Sequence, residues 1–223
     1  MYINMKLQSI LFIIFICISA YSVQALRLNN AVKQEPVIVM GNPEIIYVDN
    51  VIVNDDVTLY DDLRFPANIL KIQGASNIPE FTEFRHHTYE LAFDATTDEQ
   101  VFLSMQLPHA RRTNSTLYPH FHWSPSTTDS GYVTWCAEWT CANVEALMPE
   151  PTIHCVNDTS SEIIYQHQMT PMIIFENNLS ESAMCSFRLY RDAGADTYPA
   201  DAWLLEFDIH YEIGKLGEDE EYT

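Results

Sequence analysis

Two histidines, His120 and His122, are the residues whose spacing points most directly to chemistry. They alternate with Pro119, Phe121 and Trp123. On a β-strand the apolar side chains would face the core, and the two imidazoles would leave from the opposite face about 7 Å apart. Imidazole is a ligand for zinc, copper, iron and nickel in proteins. The pair therefore predicts a transition metal site that needs further ligands from elsewhere.

Three interpretations of this pair stay open. Within the chain, His210 is the best candidate for a further ligand because Asp208 and Glu212 flank it on the same strand face, and His109 is another candidate. Alternatively, three copies of the chain, each contributing His120 and His122, would place six imidazoles around a three-fold axis that holds zinc or iron. The third interpretation is an ordinary hydrogen-bonded surface pair without a metal.

Motifs for catalysis are scarce in this chain. It has no Gly-x-Ser-x-Gly elbow, no phosphate-binding loop and no His-Glu-x-x-His, and it contains only 6 glycines. Glu206 and Asp208 are the most suggestive carboxylate pair, and a glycoside hydrolase would need them at a defined separation across a bound sugar. We therefore predict a protein without enzymatic activity, with a hydrolase as the second alternative.

Exposed aromatic rings offer another kind of binding surface. Tyrosine and tryptophan present an apolar ring with a polar tip, which suits contact with sugars and with proteins. The alternation of residues places Tyr118 on the face opposite the core, and Tyr190 is a second candidate. A secreted, lectin-like carbohydrate-binding protein is therefore the first alternative to a structural role.

Charge excludes one class of partner. The 223 residues carry 11 Lys and Arg against 31 Asp and Glu, a formal charge of −20. Phosphate backbones are bound by basic side chains that release condensed counterions, so nucleic acid is not expected to bind. Hydrophobic residues make up 47% of the chain, which is enough for a packed core.

The N-terminus resembles a secretory signal. Lys6 precedes an apolar run over residues 10–20, and small residues follow at a cleavage position near Ala25. We predict a signal peptide over 1–25, a secreted or extracellular protein, and no membrane association after cleavage. The run is shorter than the roughly 20 residues that span a bilayer.

Four cysteines would remain in the exported protein, namely Cys136, Cys141, Cys155 and Cys185. An oxidising compartment allows them to pair, and four cysteines have three complete pairings. Cys136 and Cys141 lie five residues apart, so on one strand they point to opposite faces and cannot bridge each other. The alternative is free, buried thiols.

Three sequons predict glycosylation in a eukaryotic secretory route. They begin at Asn114, Asn157 and Asn178. Each segment is also typical of a polar turn.

Period-two alternation of apolar and polar residues predicts an all-β fold. In residues 131–142, one face carries Val133, Trp135 and Trp139. In the last strand, Trp203, Leu205, Phe207, Ile209 and Tyr211 are expected to share the core face. About eight strands are predicted, over residues 88–93, 100–107, 117–123, 131–142, 162–167, 172–175, 183–191 and 203–212.

Eight short strands separated by turns are typical of an antiparallel sandwich or jelly roll. The predicted organisation is an arm or linker over residues 26–57, a β-domain over 58–216, and a solvated acidic tail over 217–223.

A set of ordered motifs over roughly residues 58–223 resembles uncharacterised virion-associated proteins of tailed bacteriophages. The motifs are Phe65-Pro66-Ala67, Gly74, Leu107-Pro108-His109, Pro119 to Pro125, Trp135 with Glu138, Ala142-Asn143, Gln166-His167, Arg188 to Arg191, Asp196-Thr197-Tyr198, Asp201-Ala202, His210-Tyr211-Glu212 and Glu221-Tyr222.

This resemblance implies a structural or attachment module, such as a fibre or spike on a virion surface, that forms a homotrimer and binds a virion or cell-surface protein. More loosely, His120 and His122 resemble the His-x-His pair of phage fibre tips that bind a metal on a three-fold axis. The signal peptide and sequons depart from the phage pattern and favour reuse of the module outside a virion.

Overall fold

The computed structural model describes residues 58–73, 76–172 and 178–216, and the backbone of residues 32–33 and 52–53. The chain divides into two compact units, one comprising Met1–Leu59 with Gly214–Leu216, the other Tyr60–Ile213 with Gly217–Thr223. In the first unit, β1 (Val32–Lys33) pairs antiparallel with β2 (Ile52–Val53). The predicted signal peptide and acidic tail lie outside the described residues, as does most of the predicted arm.

The second unit is an antiparallel β-sandwich. Its strands are β3 (Tyr60–Pro66), β4 (Glu80–Arg85), β5 (Thr88–Phe93), β6 (Glu99–Gln106), β7 (Tyr118–Pro125), β8 (Tyr132–Ala142), β9 (Thr152–Thr159), β10 (Gln168–Pro171), β11 (Met184–Arg191) and β12 (Ala202–Glu212). One sheet has the strand order β10-β7-β12-β5-β4, with β3 also beside β12, and the other has the order β6-β11-β8-β9. Within the described part of the chain, no helix is long and apolar enough to cross a membrane.

Aromatic rings fill the space between the two sheets. Trp135 of β8 stacks on Phe121 of β7, with ring centroids 5.2 Å apart, and meets Phe93 of β5 edge-on at 5.2 Å. Phe207 of β12 packs against Phe121 at 5.0 Å. All four side chains are fully buried. Because Phe121 is fixed in the core, the flanking His120 and His122 must lie on the outer face of β7.

A β-bulge in β12 reverses part of the predicted alternation. The pairing register with β7 shifts between Leu204 and Glu206. The extra residue at Leu205 moves Leu204 into the core together with Phe207, while Trp203 packs against other aromatic rings outside it. The prediction that Trp203 and Leu205 share the core face with Phe207 is therefore wrong. For Phe207, Ile209 and Tyr211, which follow the bulge, the predicted core face is correct.

Several predicted strands also differ from the structure. Residues 162–167 form a loop in which Glu162 and Tyr165 have positive φ angles, which an extended strand does not allow. The predicted strand at 172–175 falls largely outside the described residues, and β10 ends at Pro171 just before it. Besides β1 and β2, strands β3, β4, β9 and β10 lie outside the predicted strands.

Arg191, at the end of β11, fastens the loop between β11 and β12 to the sandwich. Its guanidinium donates to the backbone carbonyls of Phe93, Ala200 and Tyr198, each at 2.8 Å. It also pairs with both carboxylate oxygens of Asp196, at 2.8 and 3.1 Å. Both side chains of this ion pair are buried, with exposed fractions of 0% and 1%. Every N–H of the guanidinium thus has an acceptor.

The four cysteines form two disulfides between directly opposed strand residues. Cys136 of β8 bonds Cys155 of β9, and Cys141 of β8 bonds Cys185 of β11, each with a Cα–Cα distance of 4.1 Å. This is one of the three complete pairings of four cysteines, and it does not join Cys136 to Cys141. Cys141 and Cys185 belong to the buried core, whereas Cys155 is exposed.

This difference in exposure predicts the order in which the disulfides are reduced. A thiolate must reach the disulfide sulfur along an open path. Dithiothreitol under native conditions should therefore reduce Cys136–Cys155 before Cys141–Cys185. Pulse alkylation followed by peptide mass spectrometry measures the order, and simultaneous release of all four thiols would contradict it.

The three predicted glycosylation sites lie on the surface. Asn114, Asn157 and Asn178 are all exposed. Asn157 lies within β9, where its side-chain oxygen accepts a hydrogen bond from the Thr134 hydroxyl at 2.9 Å. A glycan would be attached to Nδ2 of Asn157, which leaves this oxygen as an acceptor.

Candidate functional site

The outer face of the six-stranded sheet carries a regular array of polar side chains on three adjacent strands. Asp208 of β12 lies directly between Arg64 of β3 and His120 of β7. His210 lies between Asp62 and Tyr118 in the next row, and Glu206 lies between Pro66 and His122 in the row on the other side. Directly opposed residues of antiparallel strands point to the same face. We call the set Asp62, Arg64, His120, His122, His167, Glu206, Asp208 and His210 the histidine face.

Asp208 is the centre of this array. Its Oδ1 lies 2.6 Å from Nε2 of His120, and its Oδ2 lies 3.3 Å from Nε2 of His122. The exposed fraction of the Asp208 side chain is 8% and that of His120 is 9%. The aspartate and both strand histidines are therefore bound to one another at the bottom of the face.

The second nitrogen of each strand histidine also has a partner. Nδ1 of His120 lies 3.2 Å from the backbone carbonyl oxygen of Tyr118. Nδ1 of His122 lies 2.6 Å from Nε2 of His167, a residue of the loop that precedes β10. Both rings are thus held at two points, which fixes their orientation.

Electrostatic coupling shifts the titration of this cluster. Burial alone would raise the pKa of Asp208, but hydrogen bonds and charge from His120 and His122 outweigh it and hold that pKa well below its usual range. For His120, burial lowers the pKa, and the bond and charge of Asp208 outweigh it and raise that pKa overall. Burial and then the charge of His122 lower the pKa of His167.

An ion pair between Arg64 and Glu206 lies on the β3 side of the histidine face. Nε and Nη2 of Arg64 donate to the two carboxylate oxygens of Glu206 at 2.6 and 2.8 Å. In the next row, Nε2 of His210 lies 2.9 Å from Oδ1 of Asp62. Apart from the histidines, the histidine face carries three carboxylates and one guanidinium, so it favours cationic or hydrogen-bonding ligands.

An open groove runs over the histidine face. Its volume is about 360 Å³, and its lining residues are Asp62, Arg64, His122, His167, Leu205, Glu206 and Asp208. The bulge in β12 brings Leu205 to the outer surface at this point, so one apolar side chain accompanies the polar ones.

Two exposed tyrosines lie at one end of the same face. Tyr60 pairs with the β12 residue Glu212, and Tyr118 pairs with His210. Their rings meet edge to face with centroids 5.9 Å apart, and their exposed fractions are 51% and 40%. Each ring therefore supports the other while remaining accessible to a ligand.

The structure separates the predicted site residues into two groups. His120, His122 and His210 come together on the histidine face with Asp208 and Glu206. His109 instead contacts the Ser182 hydroxyl at 2.7 Å. Tyr190 is buried and has the guanidinium of Arg188 over its ring at 4.0 Å, so it is not an exposed contact residue.

Sequence reasoning missed Asp62, Arg64 and His167. A signal for β3 was present, because Asp62 and Arg64 alternate with Leu63 and Phe65. No local pattern predicts that His167 reaches the face, since it lies in the loop that was expected to be a strand.

The prediction that imidazoles from three chains meet on one axis is not required by this geometry. His120 and His122 both find their partners within one chain. Homotrimer formation stays a prediction, which the mass of the purified protein in solution would test.

No protein-family model and no curated protein sequence matches the chain. Similar solved structures include two family 35 carbohydrate binding modules. The module from Clostridium thermocellum is 9% identical, with a TM-score of 0.42, and the match covers 67% of this chain and 97% of that one. The module from an environmental isolate is 9% identical, with a TM-score of 0.40 and coverage of 68% and 98%.

A third similar structure is an isomalto-dextranase of Arthrobacter globiformis T6 in complex with panose. It is 14% identical, with a TM-score of 0.41, and the match covers 66% of this chain but only 23% of the enzyme. Likenesses at these identities and TM-scores carry no argument about function, which has to come from the residues of the site.

Proposed function

We propose that the protein is a non-catalytic carbohydrate-binding module that takes its ligand along the histidine face. The observation that carries this proposal is the arrangement of oriented donors and acceptors in an open groove beside two exposed tyrosine rings. A sugar presents hydroxyl groups, which both donate and accept hydrogen bonds, and apolar C–H faces. The groove and the tyrosines offer a partner for each.

The polar side chains of the groove are suited to hydroxyl groups because they are held in place before a ligand arrives. Arg64 and Glu206 fix each other through two hydrogen bonds. His122 is fixed between Asp208 and His167. Preorganised groups lose little conformational entropy on binding. The groove volume of about 360 Å³ lies near the lower end of the range for small-molecule sites, about 300–1,000 Å³.

Tyr118 and Tyr60 supply the apolar part of the contact. Tyr118 follows the buried Leu117 and lies opposite His210, so its ring is on the same outer face as the groove. An aromatic ring contributes contact area at low conformational cost, since it has only two rotatable side-chain bonds.

The state of the carboxylates argues against hydrolysis at the same groove. A glycoside hydrolase needs a protonated carboxyl as its acid. The pKa of Asp208 is held well below its usual range by His120 and His122, and both oxygens of Glu206 are bound by Arg64. Glu99, whose pKa burial raises to about 7, lies on β6 in the other sheet and does not line the groove.

Screening the purified protein on a glycan array, followed by titration calorimetry of the best glycan, tests the proposal. We expect Tyr118→Ala to weaken binding by about tenfold, which corresponds to about 1.4 kcal/mol. Tyr89→Ala is the matched control, since Tyr89 is comparably exposed, at 46%, but lies on β5 against Phe81. The absence of any bound glycan, or equal losses in the two variants, would contradict the proposal.

A further inference from the structure

The contact between His120 and Asp208 is unusual because the two atoms lie only 2.6 Å apart, yet Oδ1 of Asp208 has no hydrogen bond of acceptable geometry. Nδ1 of His120 faces the backbone carbonyl of Tyr118, which only accepts, so Nδ1 must carry a hydrogen. In the neutral ring, the lone pair then lies on Nε2. That nitrogen is 2.6 Å from Oδ1 of Asp208, an acceptor as well when the carboxylate is ionised.

Two acceptors at this distance repel each other unless a cation neutralises them, either a proton between them or a metal ion that both atoms bind. Oδ1 of Asp208 is buried and has no hydrogen bond of acceptable geometry. The Asp208 side chain is more than nine-tenths buried. An orphaned buried oxygen beside an imidazole nitrogen is the arrangement that a cation would satisfy.

His210 offers a third ligand atom for a metal ion at the same position. Its ligand atom and those of His120 and Asp208 all lie within 4.8 Å of one another. Nε2 of His210 lies 2.9 Å from the Asp62 carboxylate. When Nε2 donates its hydrogen to Asp62, the lone pair of His210 is left on Nδ1.

The surrounding groups repeat a pattern found around metal-binding histidines, in which the other ring N–H donates to a carboxylate or a backbone carbonyl. His120 presents Nδ1 to the carbonyl of Tyr118, and Nε2 of His210 lies 2.9 Å from the Asp62 carboxylate. His122 contacts the second oxygen of Asp208 at 3.3 Å and so orients that carboxylate. These three contacts fix the tautomers of the two imidazoles and the orientation of the atoms that would bind the metal.

We propose that His120, Asp208 and His210 of one chain bind a single divalent transition metal ion, with Zn²⁺ as the preferred ion, and that Asp62, His122 and the Tyr118 carbonyl orient the ligands. Two imidazoles and one carboxylate are a ligand set known from zinc sites that keep an open coordination position. The site goes beyond the proposed carbohydrate binding, and metal binding is measured without any glycan.

This assignment changes the role expected for His122. In the sequence, His120 and His122 are the natural pair of ligands. In the structure, His210 from β12 joins His120, and His122 becomes a positioning residue. The ligands thus come from two adjacent strands of one chain, so the site needs no three-fold axis.

Zinc titration against a chromophoric chelator, with chelator-treated full-length protein at pH 7.5, tests the site. We expect one equivalent of Zn²⁺ to bind in the wild type, and His210→Ala and Asp208→Asn each to weaken it at least tenfold. His210 is substantially exposed, at 43% of its side chain, so His210→Ala should fold, and a thermal melt checks this. Asp62→Asn should weaken binding by about tenfold, as a substitution of an orienting group does.

His86→Asn is the matched control, because it removes an exposed imidazole from the turn between β4 and β5. Asparagine tolerates the positive φ angle of that residue. Binding in this variant should equal that of the wild type. With Co²⁺ as a second probe, the visible absorption of the bound ion should appear in the wild type and be lost in His210→Ala. Binding that His210→Ala and Asp208→Asn weaken less than tenfold, or no stoichiometric binding, would overturn the proposal.

Discussion

Replacing Arg191 with methionine should lower the free energy of unfolding by about 3–5 kcal/mol, which is the cost of removing one partner from a buried ion pair. Methionine keeps much of the side-chain volume but leaves Asp196 as a buried charge without its cation. It also leaves the backbone carbonyls of Phe93, Ala200 and Tyr198 without their donor. Urea unfolding followed by tryptophan fluorescence measures the loss.

Arg188→Met is the control on the same strand. Arg188 pairs with Glu138 at 2.9 Å, but both side chains are partly exposed, at 31% and 26%. Exposed ion pairs contribute about 0–1 kcal/mol, so this variant should lose about 1 kcal/mol or less. Equal losses in the two variants would show that the buried network around Arg191 does not hold the β11–β12 loop to the sandwich.

Replacing Asp208 with asparagine should destabilise the protein by on the order of 3 kcal/mol near pH 5.5, because it leaves the buried, protonated His120 without its counter-charge. The sign follows from the pKa shifts. The pKa of Asp208 is lowered, so its contribution is present above the pKa of the unfolded chain and is lost only in strong acid. The pKa of His120 is raised, so its contribution is present below about pH 6.5 and is lost as pH rises through its folded value.

The difference between wild type and Asp208→Asn should therefore be largest near pH 5.5 and smaller at pH 9, where His120 has lost its proton. Urea unfolding at both pH values, with a chelator present to exclude metal binding, measures this difference. An NMR titration of the His120 ring should also show a lower pKa in the variant, since burial is then no longer opposed by Asp208. A stability difference that does not change with pH would contradict the coupling of these two residues.

Much of the sandwich could be predicted from alternation within single strands. In β7 and β8, apolar residues occupy every second position without interruption, so the faces of His120, His122 and Trp135 followed from the sequence. The alternation of β12 is broken by a bulge at Leu205. A bulge inserts one extra residue, so the residues before it and after it follow different alternations, and no residue type in this segment indicates its position. Trp203 was therefore placed on the wrong face.

The candidate site could be predicted only in part because its residues come from strands far apart in the sequence. His120 and Asp208 are neighbours through the pairing of β7 with β12, and Asp62 reaches them through β3. Pairing between distant strands cannot be derived from local periodicity. His167 depends on a loop with two residues at positive φ, which side-chain patterns do not reveal.

The contacts of the histidine face also bear on Glu206 and Asp208, the carboxylates predicted as a hydrolytic pair. Glu206 and Asp208 do lie on the same face, as their spacing predicts. Each of them, however, is already bound by a cation or an imidazole, Glu206 by Arg64 and Asp208 by His120. Arg64 and His120 thus hold the two carboxylates in place as hydrogen-bond acceptors, which is the property a binding site needs.

The most direct test of carbohydrate binding at the histidine face is chemical-shift mapping of the protein with the best glycan from the array. Glycan binding there should shift the amide and imidazole signals of β3, β7 and the C-terminal half of β12 together, with His122 and Tyr118 among the largest changes. Shifts confined to the four-stranded sheet of β6, β11, β8 and β9 would place the ligand elsewhere and contradict the account.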